Sequence, residues 1–574
     1  QLLWFAPTID EAAADVELPR TDELPFAGIS LQRNVPEESG KQHGLMGFIG
    51  GGSFVHSHAS GMSMELYGTG HVMGAKSGRS SYQSTIHENY YRLFASNNTV
   101  IVNGASRGDG GWQDIAINQV QRLAMEPEPF EEAVSDVFSF TCSSFEDNKG
   151  SGAEASQQRT LAIVRTSPTT GFYVDVFRSD SSLSNEYHDY IYRNIGDLNP
   201  TIEAGGTPVT LSSAPNRFQN DIGDSYEQPG WRYFTNTMTA PATTDPIRVS
   251  FRVSIGGVVR FMDMHMPSIF NRVIAQVDSP PIVDAPSPYD SRNAPAVVVR
   301  QLGEAWKNPF VSVFEPYFRS DGPSVQSTEA LSEGGVVRGV KVESLVDGQI
   351  VTHYVLSNPY ASQSYSNSGI GLNFTGRFGI VEEREDGTIR LYLGEGSSIQ
   401  YKGNSLNSNG GSNTQAEALI VPYFDPSVRS NSAITMTEAP KQGYALWASS
   451  HAPNSLPVDD YDKDGVENVV EYVLGGSELG SDVDKLPTIT QDGNRLNFTF
   501  MRSQESIDGE TELQIEVGDT PGTLDDIHPV PDGPVSVEPG LTVTKDAATG
   551  YDEVTFSVEV DAAERKFIRL RVTP

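Results

Sequence analysis

A single cysteine, Cys142 in SFTCSSFED, leaves no internal disulfide to be made, so any life outside the cell is led without covalent staples. Positive charge is scarce as well: 40 Lys and Arg stand against 75 Asp and Glu, a formal charge of −35. That balance repels nucleic acid and anionic membranes, and no polybasic element offsets it. No apolar run is long enough to span a bilayer. What remains is 574 residues, enough for roughly three or four domains, with 54 Gly and 35 Pro among them. The chain reads as soluble and loop-rich. It opens at QLLWFAPTIDEAAADVELP without a methionine, as though a preceding segment had been removed, and the expectation is a secreted, periplasmic or cell-surface bacterial protein.

Short alternating runs dominate up to about residue 300: GISLQRN, MGFIGGGSFVH, MSMELYG, NTVIVNG, RTLAIVRT, GFYVDVFRS and IRVSFRVSI. Period-two alternation broken by Gly, Asn, Asp and Ser predicts antiparallel strands. The fold class expected is mainly β, a large antiparallel sandwich over 1–300 followed by two smaller ones. The Pro-, Asp- and Ser-rich stretch 279–295 reads as a linker. Runs such as PFVSVFEPYF, QIVTHYVLS and TIRLYLG predict a second, smaller sandwich over 301–445, and LNFTFMR through FIRLRVT a terminal one over 486–574.

Between them, at 446–485, the stretch LPVDDYDKDGVENVVEYVLGG changes character. With Asp460 as position 1 of a 12-residue loop, Asp462, Asp464, Val466, Asn468 and Glu471 fall at positions 3, 5, 7, 9 and 12, and Gly465 at the sharp turn. This is the register of an EF-hand-type calcium loop, in which short carboxylates and one backbone carbonyl converge on the ion and the last carboxylate arrives from a helix. The expected cofactor is structural Ca²⁺, with the helix VENVVEYVL capped by Gly475.

The stretch HSHASGMSMELYG, residues 56–68, sets His56 and His58 on one face of a strand. Spacing alone leaves a metal pair, a catalytic pair and a plain hydrogen-bonded pair open. Downstream, Arg79 and Tyr82 precede HENYYRLF, which brings His87, Tyr91 and Arg92. These residues and Arg193, in NEYHDYIYRNIGD, are candidate substrate-binding groups, because Arg forks suit carboxylate or sulfate and aromatic faces suit sugar rings. Read as a strand, only half of HENYYRLF faces any one side. Met62 and Met64 read as sheet packing.

The order GISLQRN, HSHASGMSMELYG, GAKSGRSSY, NYYRLFASNNTVIVNG resembles the central domain of heparinase II/III-like polysaccharide lyases, a group that includes alginate and glycosaminoglycan lyases. The likeness runs over roughly residues 1–440 and is most specific between 28 and 112. It implies β-elimination on a uronic-acid polymer such as alginate, ulvan, glucuronan or a glycosaminoglycan, in a cleft between the sandwich and an N-terminal (α/α) toroid. No residue here takes the toroid's roles, so the resemblance implies a helical part elsewhere, on a removed stretch or a separate chain. It maps His56 to the catalytic side and His58 to a structural zinc, and it offers His188 and Tyr187 as further catalytic candidates. The family's other zinc ligands, an Asp and a His, map onto Lys76 and Asn97. One ligand of three is too few for zinc, so the expectation is a metal-free site in which Lys76 supplies the charge, held by Asn97 and His58.

Two rival classes stand beside the lyase. A carbohydrate-binding or scaffold protein derived from the lyase fold would hold polymer without cutting it. A glycoside hydrolase would need two flanking carboxylates, and Glu65 has no evident partner in the sequence.

Overall fold

The computed structural model describes residues 19–36, 39–51, 58–104, 120–147, 155–218, 229–408, 414–421, 427–430, 434–437, 444, 447–448, 451–452, 457, 459–476, 483–507, 511–520, 523–536, 540–546, 548–560 and 566–573. The chain divides into two compact units, residues 1–437 in the main and 438–574.

Antiparallel sheets build the first unit, as the alternation predicts. Five strands, Thr21–Leu24, Ile29–Asn34, Leu45–Gly50, Ser63–Gly68 and His71–Gly74, form a meander in chain order. A nine-stranded sheet holds Phe138–Asp147, Ala155–Arg165, Gly171–Ser181, Ile247–Ile255, Val258–Met266 and Ala305–Phe318 among its strands. A six-stranded sheet includes Val100–Val102, Tyr187–Arg193, Arg272–Ser279 and Ala294–Leu302, and a ten-stranded sheet is built from the second β-rich block, beginning at Val325.

Side-chain alternation explains how one strand serves two cores. In Gly171–Ser181, Tyr173 and Phe177 join the core shared with the five- and six-stranded sheets. Phe172, Val174 and Val176 point the other way, into the core shared with the ten-stranded sheet. That is why GFYVDVFRS is buried along its whole length. Phe140 stacks on Phe378 across the second core, with ring centroids 4.3 Å apart. Met62 and Met64 are fully buried, as expected of packing residues.

The boundary expected near 300 falls elsewhere. Ala305–Phe318 pairs with Gly171–Ser181 and with Val258–Met266, so the first block runs through residue 318. Nor is 279–295 a linker between domains. Arg272–Ser279 pairs directly with Ala294–Leu302, which makes the intervening stretch a hairpin connection. Its Val283 N–H donates to the Ser77 carbonyl at 3.1 Å, so this loop is part of the surroundings of Lys76.

The second unit has a five-stranded sheet, including Arg495–Ser503 and Tyr551–Glu559, and a three-stranded one centred on Glu512–Gly518. Helix Asn468–Leu474 packs Val469, Tyr472 and Val473 into the core they share with Phe498, Ile515 and Phe556. Gly475 ends the helix in the left-handed conformation, φ 69°, where a β-carbon would be strained.

Candidate functional site

HENYYRLF is not a strand. His87–Tyr91 is one turn of π-helix, in which the Arg92 N–H donates to the His87 carbonyl five residues back. The period-two reading of this segment therefore fails, and His87, Tyr90, Tyr91 and Arg92 are all buried together. The turn faces the segment that follows H-x-H, where the Ala59 N–H donates to the Arg92 carbonyl at 2.7 Å and the Met64 N–H to the Asn98 carbonyl at 3.0 Å.

This brings His58 against His87, ring centroids 5.6 Å apart in an edge-on contact. Tyr82, exposed, lies edge-on to His87 at 5.1 Å. Burial first, then the charges of Lys76 and Arg92 and the His87 ring, holds the His58 imidazole down at about 4, against a pull from the Tyr91 backbone carbonyl. Burial lowers His87 as well. Both rings are thus neutral at ordinary pH.

Their hydrogen bonds separate the two. The Ser80 N–H donates to His87 Nδ1 at 3.2 Å, which leaves the proton on Nε2, a buried atom with no partner among the described residues. His58 bonds the Tyr91 carbonyl through one ring nitrogen, so the other carries the lone pair. One ring offers a proton and the other can take one.

Lys76 and Arg92 supply positive charge beside this pair. Lys76 Nζ lies 3.6 Å from Glu65 Oε1 and 5.9 Å from the Phe48 ring centroid. Glu65 therefore has a cation beside it, which is not the second carboxylate a hydrolase would need, and burial raises its carboxyl while Lys76 opposes the rise. Arg92 pairs with Glu88 at 2.7 Å, one helical turn away. Arg79 is exposed on the loop that follows Lys76.

Two expected members of the cluster lie elsewhere. The Asn97 carboxamide donates to the Leu93 carbonyl and to Ser96 Oγ, so it holds its own turn and not Lys76. Arg193 is fully buried, and its guanidinium donates to Tyr90 OH, the Ala95 carbonyl and Ser279 Oγ. Its place is in the core, away from any substrate surface. Tyr91 donates to the Pro281 carbonyl at 3.2 Å, and burial pushes its phenol up to about 12. His56 lies outside the described residues.

Tyr187 and His188 begin the strand Tyr187–Arg193. His188 is fully buried between Ser179 Oγ and Glu186 Oε2, each at 2.9 Å, and burial lowers it to about 4. Such a histidine, satisfied on both nitrogens, fits a structural place. Tyr187 is half-buried, its ring beneath the Arg300 guanidinium at 4.2 Å.

In the second unit, carboxylate oxygens of Asp460, Asp462 and Asp464 lie within 4.8 Å of one another. The loop is closed by the Asp464 N–H donating to Asp460 and Asp462, the Gly465 N–H to Asp460 and the Val466 N–H to Asp464. Glu471 is buried on the first turn of the helix. Asn468 Oδ1 accepts from the Tyr461 N–H at 3.0 Å, a bond within the loop. Burial, with the charges of Asp464 and Asp460, raises the Asp462 carboxyl.

Residues 46–147 match the family described as "Heparinase II/III-like, C-terminal", and residues 325–418 that described as "Endo-acting ulvan lyase C-terminal domain". Over 420 residues the chain is 39% identical to the endo-acting ulvan lyase of Formosa agariphila, a match covering 71% of this chain and 50% of that protein. The chain thus spans about half the length of that curated relative. The crystal structure of heparan sulfate lyase HepC from Pedobacter heparinus aligns at 12% identity with a TM-score of 0.36, over 58% of this chain and 42% of that one.

Proposed function

We propose that this chain is the β-rich part of a polysaccharide lyase that cleaves ulvan by β-elimination, and that it acts outside the cytoplasm, where a polymer is met. The His58–His87 pair beside Lys76 and Arg92 carries the reading. The 39% identity to a protein named for ulvan supports the choice of polymer.

Elimination breaks the C5–H bond of a uronate and the C4–O bond of the linkage, and forms a C4–C5 double bond. The carboxylate beside C5 must be offset so that negative charge can build there, which suits Lys76 and Arg92. His58, neutral, takes the C5 proton through its free lone pair. His87, whose proton sits on Nε2, is assigned a hydrogen bond to the departing O4, and the proton that O4 takes up comes from water. Tyr82, exposed over His87, is the sugar-ring platform.

The complete protein incubated with ulvan is expected to release fragments that absorb in the short-wavelength ultraviolet, since the new double bond is conjugated with the carboxylate. Reducing ends without that absorbance would mean hydrolysis and overturn the reading. Binding without either product would favour the non-catalytic, carbohydrate-binding alternative.

We also propose one structural Ca²⁺ at Asp460, Asp462, Asp464 and Glu471, with the Val466 carbonyl completing the set. Adding a chelator is expected to lower the melting temperature of the second unit, and Asp464→Ala to abolish that response. Lyase activity should be unaffected by the substitution. A melting temperature indifferent to both chelator and calcium would refute the site.

A further inference from the structure

Within the first unit, a cleft of about 420 Å³ opens between the nine-stranded sheet and the first strand of the ten-stranded one. It shares no residue with the surroundings of His58 and His87. On one wall Glu203, Arg248 and His265 stand in a row across the strands Thr201–Ala204, Ile247–Ile255 and Val258–Met266, each the register partner of the next. The alternate residues Ile202, Val249 and Met264 point the other way, into the core shared with the five- and six-stranded sheets. The facing wall is Pro323 with Gln326 and Thr328, at the start of strand Val325–Glu333. That strand ends its sheet, so its outer edge offers backbone N–H and C=O groups to no further strand among the described residues.

Both walls are fixed from behind. Asp263 Oδ2 accepts from Arg248 Nε at 3.1 Å and Nη2 at 2.6 Å, and Arg248 Nη1 lies 3.6 Å from Glu203 Oε2. Glu315, buried in the nine-stranded sheet, accepts from the Ser324 N–H at 2.5 Å and the Ser324 hydroxyl at 2.6 Å, which pins the start of the facing strand. Groups held in place beforehand spare a ligand the cost of ordering them.

The charges narrow the choice of ligand. Asp263 offsets Arg248, burial lowers His265 to about 4 so that its ring is neutral, and Glu203 is an acid in excess. Glu203 therefore repels an anion, while Arg248 repels a cation. A neutral polyol meets neither objection, because each hydroxyl both donates and accepts, and adjacent hydroxyls match a guanidinium beside a carboxylate. Pro246 and Pro323, both exposed, add rigid apolar surface for the C–H face of a ring. The volume falls within the range of about 300–1,000 Å³ usual for small-ligand sites.

We propose that this cleft binds an uncharged sugar unit of a polysaccharide through Glu203 and Arg248, as a holding site separate from the His58–His87 centre. It goes beyond the lyase reading and needs only that the chain meets carbohydrate.

The whole chain is mixed in turn with glucose, galactose, xylose and rhamnose, and with glucuronate and glucosamine as charged controls, while NMR follows saturation transfer from protein to sugar. At least one neutral sugar should receive saturation. Glu203→Ala should weaken its binding roughly tenfold or more, the worth of a hydrogen bond to a charged group, and Thr328→Trp, which fills the cleft, should abolish it. Both side chains reach solvent, so neither variant should melt appreciably lower than the wild type. Any saturation that glucuronate receives should be the same in both variants.

No saturation of any neutral sugar, or binding unchanged in either variant, would overturn the site. Displacement of the neutral sugar by an equal concentration of glucuronate or glucosamine would overturn it too, by assigning the cleft to a charged ligand. Neutral-sugar binding here with no unsaturated product from ulvan would keep the site and remove the lyase reading. Product without such binding would do the reverse.

Discussion

Asp175→Asn is expected to destabilise the first unit by about 3–5 kcal/mol, the usual cost of stranding one charge of a buried pair. Arg159 and Asp175 are both fully buried, joined at 2.8 and 2.7 Å through two parallel bonds. Asp175 also accepts from Tyr190 OH at 2.7 Å. The variant keeps shape but replaces one accepting oxygen with an NH₂ donor facing other donors, and it leaves a guanidinium with no opposite charge near it. Arg159→Met should be as damaging, for a different reason. Arg159 Nη1 donates to the carbonyls of Met62 and Asn98, at 2.6 and 2.7 Å; both would lose that bond inside a dry core, Asn98 keeping the Met64 N–H, and Asp175 would lose its counter-charge. Those carbonyls lie on the two segments that face each other at the His58–His87 site. Denaturant titration of the first unit's transition decides it, and a loss below about 1 kcal/mol would show that the pair is not a keystone.

The second large effect is chemical. His58→Ala and His87→Ala are each expected to lower kcat/KM on ulvan by on the order of 10²-fold, about 2.7 kcal/mol, as for loss of a positioned acid or base. His56→Ala carries the same expectation from the family resemblance. The pH profile separates a base from a packing residue. A base must be unprotonated, so activity should hold as pH falls below the ordinary histidine range and fail only through about 4, where His58 titrates. Lys76→Met removes one of the charges that depress His58 and should move the acid limb upward, toward 6.5. An acid limb already near 6.5 in the wild type, or unmoved in Lys76→Met, would take the base role from His58.

Much of the β architecture was legible because alternation reports burial directly. IRVSFRVSI reads as a strand and pairs along its full length with Val258–Met266, Ile247 with Met266 through Ile255 with Val258. The acidic loop was legible because its carboxylates fall at fixed spacing within twelve residues of the chain. The π-turn at His87–Tyr91 was not, since a single wide turn leaves no period to detect and its aromatics mimic a strand. Pro and Ser in 279–295 marked a turn correctly but could not say that both flanking strands belong to one sheet. The Lys76–Glu65 pair depends on segments that only the folded chain brings together.

The strand Gly171–Ser181 has a further consequence, in the order of events during synthesis. Its neighbour on one side is the adjacent hairpin, but on the other it waits for Ala305–Phe318, with Val176 meeting Val311. At roughly 5–20 residues per second, the ribosome leaves that edge unpaired for on the order of ten seconds. During that interval a row of free N–H and C=O groups, flanked by Phe172 and Phe177, is open to any other nascent chain. The interior position that buries this strand in the finished protein leaves its edge open in the unfinished one, and overexpression should yield aggregates that a slower rate of synthesis or a chaperone relieves.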